Sequence, residues 1–216
     1  MTPEGPIMEL SVLQQVVATH APRIQRFNVR QLHRMLQQGI LREGEPIELI
    51  DGLLVRKDRS DQGGNPMTHG PRHALGITRL QLLVPRFSPF GCHLRIQLPV
   101  TLSDLFEPEP DGAVVRGAPE DYPDRHPGAA DTLAVIEIAD SSLDYDRTTK
   151  QQMYAQAGIP TYWIVNIPER TIEVYGSPLA DAGRYRHRTD FRAGDTVRLE
   201  LAEERCLDLA VDEVLP

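Results

Sequence analysis

Apolar positions recur every three to four residues in some parts of the chain and every second residue in others, which predicts a mixture of helices and strands. The first helix is expected to begin at Asn28, a favourable capping residue, and to end near Gly39. Two short apolar runs, at 47–50 and 53–55, then flank an Asp-Gly pair, which is a strong hairpin signal. The pattern therefore predicts an N-terminal helix and hairpin over 28–57.

A second series of elements predicts the core of the fold within 68–168. In chain order these are a helix at 71–87, strands at 94–102, 112–115 and 133–139, a helix at 143–157 and a strand at 162–165. Two further short strands, at 171–175 and 196–201 within a C-terminal part at 170–202, are expected to join the same sheet. The order αβββαβ predicts an α/β (α+β) fold in which helices flank one mixed sheet.

The stretches between these elements show where loops are expected. Three of them are polar or rich in proline and glycine, namely 1–22, 58–66 and 118–130. The chain shows no internal repeat and no convincing linker, so residues 1–216 are interpreted as one domain.

Composition narrows the class of protein. The hydrophobic fraction is 40% and the charged fraction 25%, as in an ordinary globular protein. No apolar run approaches the roughly 20 residues that span a bilayer, and the N-terminus lacks a secretory pattern. We therefore expect a cytoplasmic protein without a membrane partner. The two cysteines, Cys92 and Cys206, lack metal-type spacing and are interpreted as idle thiols.

The formal net charge of −8 argues against a protein that coats nucleic acid, but not against an enzyme that binds DNA through a local basic strip. Two arginine runs are candidates for such a strip: Arg23, Arg26, Arg30 and Arg34, and Arg184, Arg186, Arg188 and Arg192. Such runs are also typical of solvated faces. Among the 23 basic residues only Lys57 and Lys150 are lysines, whose compact charge has a tunable pKa.

Two acidic residues are candidates for chemistry. Asp111 follows a Glu-Pro-Glu-Pro stretch at the entrance of a strand, where an ordinary Asp-Gly turn is the alternative interpretation. Glu137 interrupts a strand that is apolar on both faces, and alternation places it on one face with Leu133, Val135 and Ala139. A carboxylate there must be paired, with an arginine as one alternative, or must bind a metal.

Topology would bring these two residues together. If the strands 112–115 and 133–139 are antiparallel neighbours, Asp111 and Glu137 converge at one edge of the sheet. Two such oxygen ligands suit Mg²⁺. On the next helix, Asp146, Lys150 and Tyr154 have the spacing of one stripe, although an ordinary surface pair of Asp146 and Lys150 is the alternative.

These residues, in this order, resemble the PD-(D/E)XK nuclease superfamily and, more closely, the Uma-two family of restriction-endonuclease-like proteins. The resemblance covers about 28–175 and rests on the following segments: Ile47-Glu48-Leu49-Ile50-Asp51-Gly52, the helix with His73, Glu109-Pro110-Asp111, Ile136-Glu137-Ile138 leading to Ser141-Ser142, the stripe Asp146, Lys150 and Tyr154, and Gly158-Ile159-Pro160-Thr161-Tyr162-Trp163-Ile164-Val165. The resemblance implies a restriction-endonuclease-like mixed sheet. It also implies a metal-dependent endonuclease that hydrolyses phosphodiester bonds of nucleic acid, with DNA as the expected substrate.

The resemblance also implies roles for single residues. Asp111 and Glu137 would bind Mg²⁺ or Mn²⁺, with the backbone carbonyl of Ile138 as a further ligand. The superfamily's usual lysine, two positions after the glutamate, is replaced by Ala139, and Lys150 is expected to take its role as the third catalytic residue. The possible additional site residues are Glu48, His73, Asp146 and Tyr154.

Two other interpretations remain open. His69 and His73 have a zinc-type spacing, but Gly70 and Pro71 interrupt the usual helical motif, so this signal is weak. The stronger alternative is a catalytically inactive binding or scaffold protein that keeps the nuclease fold without turnover, with a homodimer as its expected assembly. The negative charge and the absent lysine favour it.

Overall fold

The computed structural model describes residues 25–42, 44–57, 70–201 and 205–216 of the chain. The loops predicted at 1–22 and 58–66 lie outside the described residues, as do Arg23 and His69. None of the helices in the described ranges has the length and apolarity that crossing a bilayer requires.

The helices and strands of the described residues follow one another in a mixed order. In order they are α1 (Val29–Gln37), β1 (Ile47–Ile50), β2 (Leu53–Arg56), α2 (Pro71–Leu83), β3 (Cys92–Ile96), β4 (Gly112–Arg116), β5 (Thr132–Ala139), α3 (Leu143–Tyr145), a π-helical turn (Asp146–Lys150), α4 (Gln151–Gln156), β6 (Thr161–Asn166), β7 (Thr171–Leu179), β8 (Arg184–Arg192), β9 (Thr196–Glu200), β10 (Cys206–Ala210) and α5 (Val211–Val214).

One six-stranded sheet, in the order β3-β4-β5-β6-β7-β8, organises the described part of the chain. Neighbouring strands are antiparallel except β5 and β6, which are parallel and are connected through α3, the π-helical turn and α4. A parallel pair needs such a crossover, and a helix is its usual form. The predicted αβββαβ order and the mixed α+β class are therefore confirmed.

The two faces of this sheet are covered by different elements. On one face, α2 and the β9–β10 hairpin pack against the central strands through residues such as Leu80, Ile136 and Trp163. On the other face, α4 packs through Met153 and Tyr154. Every residue of β5 is buried, so a charged side chain on this strand lies far from bulk water.

The hydrophobic alternation in β5 is broken at one point. Val114 is opposite Ala134 and Val115 is opposite Thr132, so Leu133 is an extra residue in the ladder. Such a bulge reverses the alternation beside it. Leu133 packs with the α2 face of the sheet, whereas Val135 and Ala139 pack on the α4 face. The prediction that Leu133 shares a face with these two residues was wrong.

Local signals located the N-terminal elements well. Asn28 caps α1, since its side chain accepts the N–H of Gln31 at 2.9 Å while the Gln31 side chain accepts the N–H of Asn28. Asp51 and Gly52 both have positive φ, of 51° and 73°, as a tight two-residue hairpin turn requires.

Several boundaries differ from the prediction. The helix predicted to reach residue 87 ends at Leu83, because Pro85 and Pro89 cannot donate backbone hydrogen bonds and the chain continues in short 3₁₀ turns. The strand predicted at 94–102 ends at Ile96, where Gln97 takes a positive φ of 50°.

The C-terminal strands were predicted incompletely. β8 pairs with β7 at the edge of the main sheet, but no apolar alternation predicted it because all but two of its side chains are exposed. β9 pairs with β10 in a separate two-stranded sheet, so the prediction that residues 196–201 join the main sheet was wrong.

The two glycines Gly52 and Gly158 allow a matched test of the hairpin turn. Both have a φ of +73°, but a Cβ on Gly52 would lie 2.6 Å from Cβ of Arg26, whereas a Cβ on Gly158 would meet nothing within 4 Å. We expect Gly158→Ala to cost about 1–2 kcal/mol of unfolding free energy through backbone strain alone. Gly52→Ala should cost about 1–3 kcal/mol more because of overpacking. Urea denaturation measures both, and equal losses would contradict the packing of 25–27 against the turn.

Candidate active site

Asp111 lies where β4 begins, opposite the end of β5. Gly112 pairs with Ile136 in the antiparallel ladder, and the backbone N–H of Ile138 donates to Oδ2 of Asp111 at 2.9 Å. This hydrogen bond joins the first carboxylate to the residue that follows Glu137. The strand arrangement that was expected to bring Asp111 and Glu137 to one edge is therefore present.

The surroundings of Asp111 stabilise its ionised form. Nε2 of His73, on α2, lies 3.3 Å from Oδ1. Burial alone would raise the pKa of Asp111, but the hydrogen bond and charge of His73, the charge of Lys150 and the N–H of Ile138 outweigh it and lower the pKa to about 2.

Glu137 is buried in the middle of the site and has two strong partners. Nζ of Lys150 lies 2.8 Å from its Oε1, and the hydroxyl of Tyr154 donates to the same oxygen at 2.8 Å. Burial nevertheless raises its pKa to about 7, because the charge of Lys150 only partly offsets that burial and the charges of Asp111 and Asp146 add to it. Two neighbouring carboxylates thus have pKa values displaced in opposite directions.

The crossover helix supplies the positive charge. Asp146 and Lys150 are the first and last residues of the π-helical turn, and both are buried rather than on the surface. Nζ of Lys150 lies 3.9 Å from Oδ1 of Asp146, whose other oxygen accepts the Ser142 hydroxyl at 2.6 Å. Burial acts to lower the pKa of Lys150, but the charges of the surrounding carboxylates outweigh it and raise that pKa. Lys150 therefore stays an ammonium.

A fourth carboxylate reaches the site from the N-terminal hairpin. Glu48, on β1, is buried, and its Oε1 accepts the backbone N–H of Glu109 at 2.7 Å. Nζ of Lys57 lies 3.0 Å from the same oxygen and also donates to the carbonyl of Glu109. Both lysines of the chain thus lie among these acids. Their rarity was the sequence signal for this, but the pairing of Lys57 with Glu48 was not predicted.

Comparisons with known proteins show the family and the fold. A family model described as "Uma2: Putative restriction endonuclease" matches residues 29–212. The chain belongs to the Uma2 family. Its fold is similar to that of a solved structure described as a putative nuclease belonging to DUF820 from Anabaena variabilis ATCC 29413, with a TM-score of 0.58 and 19% identity over 82% of this chain and 94% of that one. No curated protein sequence matches the chain.

The other residues that the sequence of this Uma2 protein singled out lie in different surroundings, some paired and some exposed. Ile138 donates its backbone N–H to Asp111, which brings this residue beside the candidate carboxylates. Arg26 and Arg188, from the two arginine strips, are paired with Asp51 and Asp190. The other arginines of these strips that lie within the described residues are exposed: Arg30, Arg34, Arg184, Arg186 and Arg192. Gln97, which was not predicted, brings Nε2 to 3.5 Å from Oδ1 of Asp111.

The pKa of Glu137 tests the geometry of the site directly. We expect Asp111→Asn to lower this pKa from about 7, because the charge of Asp111 raises it, and Lys150→Met to raise it, because the ammonium lowers it. A carbon-detected NMR titration with labelled glutamate follows the carboxyl, with Glu120→Gln at an exposed residue as the control.

The raised pKa of Glu137 also predicts how the unfolding free energy changes with pH. The folded-state pKa lies above the ordinary value of 4.5, so the folded protein holds the proton more tightly between pH 4.5 and about 7. The contribution of Glu137 to the unfolding free energy therefore falls as the pH rises through this range. If neither Asp111→Asn nor Lys150→Met changed the pKa of Glu137, the result would contradict the proposed cluster of charges around this carboxylate.

Proposed function

We propose that this chain hydrolyses phosphodiester bonds of nucleic acid as a restriction-endonuclease-like nuclease that depends on Mg²⁺ or Mn²⁺. One observation carries the proposal: the buried carboxylate of Asp111, at the start of β4, accepts the N–H of the residue after Glu137, at the end of β5, and the Lys150 ammonium lies 2.8 Å from the Glu137 carboxylate. Membership of the Uma2 family supports a nuclease, and DNA is the substrate that we propose first.

The donor atoms fit a hard divalent cation. Mg²⁺ and Mn²⁺ prefer carboxylate and carbonyl oxygens. Asp111 is ionised at neutral pH, and among the described residues both contacts of the Glu137 carboxylate are made by Oε1. Oε2 is thus the oxygen of Glu137 that we assign to the cation, and the Ile138 carbonyl is the proposed further ligand. A cation here would also offset the burial and the carboxylate repulsion that together hold the pKa of Glu137 high.

Each side chain then has a specific role in hydrolysis. When bound, the metal ion polarises the phosphate and makes water a better nucleophile. Lys150 offsets negative charge that develops on the phosphate or orients the attacking water. Tyr154 holds Glu137 in place through its hydroxyl, and His73 holds Asp111. We also propose His73 and Tyr154 as candidates for contacts to the phosphate, and Glu48 and Asp146 as acids that keep Lys150 charged.

Packing supports the transfer of the lysine role to the helix. Ala139, at the position of the superfamily's usual lysine, is fully buried among apolar residues that include Tyr154 and Ile164. A lysine there would bury its stem against α4 and lose that packing. The ammonium of Lys150 instead approaches Glu137 from the crossover helix.

A second candidate is a homodimeric binding or scaffold protein that keeps the fold without turnover. Ala139 and the net charge of −8 are the observations that favour it. The two candidates make opposite predictions for catalysis.

Cleavage of nucleic acid separates these candidates. We expect the parent protein to nick supercoiled plasmid or cut oligonucleotides in Mg²⁺ or Mn²⁺. Glu137→Gln and Lys150→Met should each lose at least about 100-fold in rate, the usual cost of one electrostatic group in a transition state. Glu120→Gln, at an exposed carboxylate, should keep the parent's rate. A parent that neither cleaves nor takes up Mn²⁺ in calorimetry would leave the scaffold protein as the function.

The pH dependence of Mn²⁺ binding tests the metal site independently of substrate. Because Glu137 holds a proton below a pKa of about 7, Mn²⁺ must displace it there. We expect the affinity for Mn²⁺ to rise by up to about tenfold per pH unit below this pKa and to level off above it. Calorimetry in buffers of different ionisation enthalpy counts the released proton. Unchanged affinity and proton release in Glu137→Gln would overturn this assignment.

A further inference from the structure

A second cluster of metal-binding side chains lies outside the candidate active site. His33, Glu107 and His126 come from α1, from the segment before Asp111 and from the connection between β4 and β5. Their ligating atoms all lie within 4.8 Å of one another. The rings of the two histidines meet edge to face with centroids 5.8 Å apart.

Glu107 is held firmly at the centre of this cluster. Its side chain is only 3% exposed, its Oε1 lies 2.7 Å from Nε2 of His33, and its Oε2 accepts the hydroxyl of Thr101 at 2.5 Å. Its backbone exchanges two hydrogen bonds with Leu49 on β1. A ligand fixed in this way loses little conformational entropy when a cation binds.

The three segments are already joined by their backbones. The N–H of Val29 at the start of α1 donates to the carbonyl of Asp104, and the N–H of Thr101 donates to the carbonyl of Pro127. His33 and His126 therefore approach Glu107 from two sides on supported backbone.

We propose that His33, Glu107 and His126 form a binding site for Zn²⁺, separate from the acids around Glu137. Imidazole nitrogens favour zinc and related transition metals over Mg²⁺. Two histidines and one glutamate are a known protein ligand set for zinc, with a fourth position left for water. His33 is 36% exposed, so solvent reaches that side of the cluster.

Zinc binding would replace the hydrogen bond between His33 and Glu107. Nε2 of His33 now shares a proton with Oε1 of Glu107, and both atoms face the proposed ion. In the metal-bound form the His33 ring carries its proton on Nδ1, so that the lone pair of Nε2 and the carboxylate oxygen bind Zn²⁺. The proton between Nε2 and Oε1 moves to Nδ1 in a neutral ring and leaves to solvent from a doubly protonated one, and Thr101 continues to donate to the other oxygen. The ion links α1 and the β4–β5 connection to the segment that ends at Asp111.

Calorimetric titration with Zn²⁺ tests the proposal. We expect the parent protein to bind one Zn²⁺ that His126→Ala loses, with the affinity reduced more than about 100-fold, since even removing a group that supports a ligand costs about 10–100-fold. Thr101→Val removes such a supporting group and should weaken binding within that range. His187→Ala, at an exposed histidine on β8, is the matched control and should bind as the parent does.

Two further results keep this site distinct from the nuclease proposal. Asp111→Asn should bind Zn²⁺ as the parent does, because Asp111 is not a ligand of the proposed site. Co²⁺ bound at the site of His33, Glu107 and His126 should give a visible spectrum typical of nitrogen ligation, and this spectrum should disappear in His126→Ala. Far-ultraviolet circular dichroism checks that each variant is folded. A parent that binds no Zn²⁺, or folded His126→Ala and Thr101→Val proteins that bind it as tightly as the parent, would overturn the proposal.

Discussion

The candidate active site depends on one physical constraint: several carboxylates of like charge are buried close together, away from water. Four buried carboxylates, those of Glu48, Asp111, Glu137 and Asp146, surround one buried ammonium, that of Lys150. Buried charges persist only when they are paired, protonated or bound to a cation. The fold supplies all the local partners that it can, yet Glu137 still has its pKa raised to about 7. A divalent cation is the further partner that we propose for these acids.

The opposite pKa shifts of Asp111 and Glu137 follow from what each oxygen contacts. Asp111 receives a backbone N–H and faces His73, and these contacts outweigh its burial. Burial raises the pKa of Glu137, the ammonium of Lys150 only partly offsets this effect, and the charges of Asp111 and Asp146 add to it. The two groups titrate as a coupled system, so a change at either one is felt by the other. Divergent pKa values in adjacent carboxylates are typical of sites that carry chemistry.

The sequence located features that depend on neighbouring residues or on burial. Asn28 and the Asp51-Gly52 turn are local signals, and Glu137 was recognised because a carboxylate interrupts an apolar strand. β8 was missed because its exposed face removes the apolar alternation, and Leu133 was misplaced because a bulge leaves no mark in the sequence. The contacts of Glu48 and Lys57 with the backbone of Glu109 join the N-terminal hairpin to a distant segment, and no periodicity in a single sequence encodes such contacts.

One extended segment, 107–111, connects the two sites that we propose for cations. Pro108 and Pro110 restrict its backbone, and its alternate residues Glu107, Glu109 and Asp111 all carry carboxylates. The charges of Glu107 and Glu48 add to the effect of burial in raising the pKa of Glu109, while Lys57 lowers it. Such a row of acids repels itself, so positive charge along the segment stabilises it. Lys57 supplies that charge at the centre, and the two proposed ions would supply it at either end.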